Sequence, residues 1–92
     1  IPRWSEIKDK YDLKSVRKLE KAKSDLAKAT DQYEKIKERI QLYHRKLHAE
    51  QEKNNVGKVG KIQDDIEKQK RNAEKAKEKI NKAQAKIDEL EG

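Results

Sequence analysis

Large residues recur at every seventh position from Leu19 to Leu47, as Leu19, Leu26, Tyr33, Ile40 and Leu47, with Ala22, Ala29, Ile36 and Tyr43 three residues after the first four. A helix with that period buries one narrow stripe against another helix and leaves the rest of its surface in water. A second stripe runs through Val59, Ile66, Ala73, Ile80 and Ile87, joined by Ile62, Gln69, Ala76, Ala83 and Leu90. Between the stripes lies NNVGKVG, the chain's one cluster of helix breakers. Asn or Gly can take the left-handed conformation that ends a helix, and connections of ~2 to 8 residues are usual between bundle helices.

The expected fold is therefore all-α, an antiparallel two-helix coiled-coil hairpin with helices over about residues 13–54 and 61–90. As one domain over residues 1–92, it would comprise an N-terminal cap segment (1–12), a first helix (13–54), a turn (55–60) and a second helix (61–91). The start at Ile1 rather than Met reads as a piece of a longer protein. Apolar residues make up 32% and charged residues 47%, a balance between long helices and disorder that the seven-residue period decides for helices.

Residues 1–12 hold the only Pro and the only Trp. Ser5 fits an N-cap, and Trp4, Ile7 and Tyr11 at spacings of three and four describe a short amphipathic helix. That helix is expected to pack over the open end of the hairpin, and its apolar residues are also candidate partner anchors.

The two stripes can face each other in two registers. One sets Leu19 opposite Leu90, Tyr33 opposite Ala76 and Leu47 opposite Ile62, so that large residues meet small ones. The other, slid by one heptad, sets Leu47 against Gln69 and Asn54 against Ile62. The first has fewer polar mismatches and is preferred, with Gln69 acting as a device against slippage. Asp64 and Asp65 are expected near the positive end of the second helix dipole. Asp64 with Lys68, Glu67 with Arg71 and Glu78 with Lys82 are expected ion pairs. The acidic last turn (Asp88, Glu89, Glu91) is expected to meet the Lys-rich start of the first helix.

Formal net charge is +7, from 25 Lys/Arg against 18 Asp/Glu. Along the chain the excess is spread: residues 13–54 carry twelve Lys/Arg against seven acids and residues 55–92 carry ten against eight. Signs alternate, which predicts a diluted field. There is no Cys, so disulfides and thiol chemistry are excluded, and compartment stays unreadable. His44 and His48 are one turn apart, but Arg45 stands where a zinc-binding HExxH motif needs Glu, so no metal site is expected; a pH-sensitive contact of His44 with Asp65 is the alternative. No nucleotide, phosphate or calcium loop occurs, no cofactor is implied, and a two-helix hairpin offers no cleft for catalysis.

The expected function is a non-catalytic protein-interaction or receptor-binding module, a rigid finger presenting its turn or a flank to a protein partner. The candidate partner-binding residues are Trp4, Ile7 and Tyr11 at one end and Asn54, Asn55, Val56 and Lys58 at the tip. The alternatives are association of a basic flank with nucleic acid or an anionic membrane, or self-association through Val16, Ala27 and Leu42. In outline, the heptads and Lys/Glu/Ala composition of residues 13–91 are similar to receptor-binding stalks of colicin-type bacteriocins, Rho-binding hairpin domains and the first two helices of membrane-remodelling proteins. The likeness implies a long helical hairpin and carries no residue roles over.

Overall fold

The computed structural model describes residues 13–92. The expected N-terminal cap segment, with Trp4, Ile7 and Tyr11, lies outside the described residues. Two helices account for nearly all the rest: α1, Leu13–Glu52, of 40 residues, and α2, Val56–Glu91, of 36 residues. They pack against each other as an elongated antiparallel hairpin. At 1.5 Å per residue α1 is ~60 Å long. No strand occurs among the described residues.

Why these residues pack as they do follows from what each helix withholds from solvent. On α1 the residues that are not exposed, from Leu19 onward, are Leu19, Ala22, Leu26, Ala29, Tyr33 and Ile36, then Ile40, Tyr43, Leu47 and Glu50. The steps alternate between three and four, which keeps one stripe facing the partner helix. The same alternation runs from Asn55, just before α2, through Val59, Ile62 and Ile66 to Leu90, with Asp65 half-buried beside it.

Within these stripes the buried residues are Ala22, Ala29, Ile66, Ala76, Ala83 and Ile87, and the leucines, tyrosines and other isoleucines are half-buried. A layer only two helices thick can cover a methyl group almost entirely. It leaves the outer atoms of a Leu or Tyr at the flanks, where Tyr33 carries Lys37 Nζ 5.4 Å from its ring centroid and Tyr43 carries Lys46 Nζ at 5.8 Å.

The reversal sits earlier than the glycines predict. The Lys53 amide donates to the Ala49 carbonyl at 3.3 Å, Asn54 to Gln51 at 3.1 Å, and Asn55 to Glu50 at 3.1 Å. Asn54 has φ of 56°, in the left-handed region. Bonds spanning five and three residues around one left-handed residue define a Schellman termination, with Asn54 where glycine more often stands. The Asn55 carbonyl then accepts from the Val59 amide at 3.0 Å and starts α2.

The turn is thus residues 53–55 rather than 55–60, and Gly57 and Gly60 are helical residues of α2 with no positive φ. Starting α2 at Val56 also moves Asp64 and Asp65 into its third turn, beyond the reach of the helix terminus.

A reversal centred on Asn54 fixes the register. Residues equidistant from the Asn54–Asn55 peptide bond face each other, which sets Leu47 opposite Ile62, Tyr33 opposite Ala76 and Leu19 opposite Leu90. The grooves between the helices agree, since one is lined jointly by Ala22, Ala29 and Ala83 and another by Ile36 and Ala76. At the open end Lys23 Nζ reaches Glu91 Oε1 at 3.3 Å, so the acidic last turn does meet a lysine of α1. That pair is more than half exposed on both sides and contributes little, ~0 to 1 kcal/mol.

The other ion pairs among the described residues lie within α1, namely Asp31 with Lys35 and Glu34 with Lys37. Asp64 with Lys68, Glu67 with Arg71 and Glu78 with Lys82 do not close. Long exposed side chains gain too little from a surface pair to hold one geometry.

Candidate functional site

The two helices meet with corresponding flanks on the same side. One shallow groove runs along a single broad face of the hairpin, and three stretches of it are lined by both helices. At the open end its lining includes Asp25 and Gln32 with Lys79, Lys82 and Lys86. In the middle it includes Lys35 and Arg39 with Asn72 and Lys75. Toward the tip it includes Lys46 and Glu50 with Lys58, Lys61 and Asp65. The floor is set back where alanines stand in the seam, at Ala22, Ala29, Ala76 and Ala83.

Lysines rim this groove with the period of the seam itself. On α1, Lys14, Lys21, Lys28 and Lys35 follow one another at seven-residue steps; on α2, Lys61, Lys68, Lys75 and Lys82 do the same. Seven residues are ~10.5 Å of helix, so each row is a rail of cations at near-constant height. Closer to the groove, α1 adds Lys18, Arg39, Lys46 and Lys53, and α2 adds Lys58, Lys79 and Lys86.

Against these fifteen cations the face carries three acids at its rim, Asp25, Asp65 and Glu89, with Glu50 in the floor. The outer ridges and the opposite face of the described hairpin carry seven Lys/Arg against eleven acids. Of the fifteen, only Lys35 holds an ion pair, with Asp31 at 3.1 Å.

The dilution expected from alternating signs is therefore corrected. Signs alternate along the chain, yet winding at 3.6 residues per turn sorts them to different faces. The signal was present as lysine two places after Leu19, Leu26 and Tyr33, and again two places after Val59, Ile66, Ala73 and Ile80.

At the tip, Asn54 forms the turn, Asn55 is half-buried and makes no side-chain cap bond, Val56 is 81% exposed, and Lys58 lies in the rim of the groove. These four are brought together; Trp4, Ile7 and Tyr11 are outside the described residues.

His44 and Asp65 fall on opposite faces and make no ion pair, so the expected contact between them does not form. His48 Nε2 instead lies 3.3 Å from Glu52 Oε1. No group of three or more potential metal ligands occurs among the described residues. Val16 and Leu42, 37% and 48% exposed, stand on different flanks and do not merge into one apolar patch with Ala27. No helix among the described residues is long and apolar enough to cross a membrane.

Comparison with protein-family models, with curated proteins and with solved structures finds no match for this chain. Its class is therefore defined by the fold alone, a long antiparallel helical hairpin.

Proposed function

We propose that this hairpin is a non-catalytic binding module whose working surface is the lysine-rimmed face and whose ligand is a polyanion. The observation that carries this reading is the concentration of fifteen cations and three rim acids on one side of a rod with the opposite balance elsewhere. Cations arrayed on one face sum their potentials over its length, and a facing polyanion releases its counterions as they engage. The shape supplies rigidity and length, and the grooves along the described hairpin are open to solvent rather than enclosed around a small substrate.

The test compares two variants of the full chain with equal net charge. One replaces Lys28, Lys75, Lys79 and Lys82 with Gln on the rimmed face; the other replaces Arg45, Lys70, Arg71 and Lys77 with Gln elsewhere. Glutamine keeps helix propensity close to that of lysine, and helicity is checked by circular dichroism. On immobilised heparin the first variant elutes at clearly lower salt than the second. Equal elution of the two would mean that net charge alone governs binding and would refute the reading.

A second reading, a protein partner at the tip, is supported by Val56. A β-branched apolar side chain 81% exposed beside a tight turn on a rigid scaffold is a natural docking point.

A further inference from the structure

We infer that the polyanion is double-stranded nucleic acid, gripped by its phosphates without regard to sequence; the inference rests on the reading of the rimmed face given above. Four features of that face narrow the class of ligand.

The cations are lysines, with Arg39 the single exception on the face. Lysine binds phosphate as a compact point charge, whereas reading base edges draws on the planar fork of arginine or on Asn and Gln aimed into a groove. The face is built for the backbone rather than for the bases.

Single strands are held by aromatic side chains on which exposed bases stack. Tyr43 is the aromatic residue that lines the groove, and its half-buried ring already carries the Lys46 ammonium at 5.8 Å. Without a free stacking surface among its described residues, the face favours a ligand whose bases stay paired inside it.

A membrane surface would ask for something different. Helices that lie in the interface bury a continuous apolar side. Here Leu42 is the large apolar residue exposed between Lys14 and Lys53 on the rimmed face. The cross-section is also hollow, with alanines set between raised lysine rails, and it suits a convex ridge of phosphates better than a plane.

Length and charge fit. A helix of ~60 Å runs alongside ~18 base pairs at ~3.4 Å each, and such a duplex carries one charge per ~1.7 Å. The phosphates on the facing side of such a duplex are then enough to engage several cations along the rails.

The experiment is fluorescence anisotropy of the full chain with two labelled 20-base-pair duplexes of unrelated sequence, at 50 and 200 mM salt. A single strand of the same length and phosphatidylserine-containing vesicles serve as further arms. The two duplexes are expected to bind equally. With about six phosphates engaged, affinity falls ~1,000-fold between the two salt concentrations.

Replacing Lys28, Lys75, Lys79 and Lys82 with Gln lowers the salt slope by ~0.9 for each phosphate no longer neutralised, while the Arg45, Lys70, Arg71 and Lys77 variant keeps the parent slope. A tenfold preference between the duplexes, tighter binding of the single strand, or binding of vesicles alone would each overturn the inference. Retention on heparin with no duplex binding overturns it while leaving the polyanion reading intact; loss of both removes the two together.

Discussion

The Asn55 amide donates to the Glu50 carbonyl at 3.1 Å, and this one bond spans the whole reversal between α1 and α2. Because it closes around Asn54, the chain turns before it reaches either interior glycine, and Gly57 and Gly60 are left as helical residues with nothing within 4 Å of where a Cβ would stand. Replacing either with Ala is expected to stabilise the hairpin by ~0.5 to 1 kcal/mol, since Gly in a helix costs backbone entropy that Ala does not. Chemical denaturation checks this. A reversal that depended on glycine freedom would be weakened by the same substitutions.

Asn54 carries the one left-handed non-glycine residue among those described, at φ of 56°. Asn54→Gly is expected to be neutral or slightly stabilising, and Asn54→Val to cost ~1 to 2 kcal/mol, because a β-branched side chain crowds the following carbonyl in that conformation. Thermal melts of the two variants should bracket the parent protein. If Val were tolerated as well as Gly, the termination described for α1 would be wrong.

Tyr33 stands opposite Ala76, which is 4% exposed. Ala76→Leu places three extra carbons where the helices approach closely and should cost ~1 to 3 kcal/mol through overpacking. A Leu at Ala85, on the outer ridge, should change stability by less than ~0.5 kcal/mol. The pair of melts separates seam from ridge, and similar values for both would refute the pairing.

Gln69 and Glu50 each keep one side-chain oxygen buried without a partner, Oε1 and Oε2 respectively. An unmatched buried acceptor costs ~1 to 3 kcal/mol, so Gln69→Leu, opposite Ile40, should raise the melting temperature. The same change removes a penalty on slid pairings. Spin labels at Ser24 and Ala85 should then report a broader distance distribution than in the parent. A lower melting temperature would show that Gln69 is matched in solution.

The seam was legible because burial imposes its period directly on residue size: each large residue from Leu19 to Leu47 marks a place where side chains must leave water. The preferred register followed from its fewer polar mismatches, with size matching such as Tyr33 against Ala76 as its accompaniment. The turn was less legible, since Asn54 and the two glycines compete as left-handed formers by composition, and only the bonds closing on Glu50 and Gln51 choose between them. Counts of charge by segment hid the rimmed face, because Glu34 and Glu38 lie among Lys28, Lys35 and Arg39 in sequence while standing on other faces of the helix. The lysine period at Lys14, Lys21, Lys28 and Lys35 held the information, and it becomes legible once those positions are counted from the seam rather than along the chain.

With a cationic excess along one side and an acidic excess on the other, the described hairpin is electrically two-sided across its width. A body of this kind rolls about its long axis in an external field, so it is already turned the right way up before any side chain touches a charged surface. Fewer azimuths of approach are then wasted, and salt should slow arrival as well as loosen what has arrived.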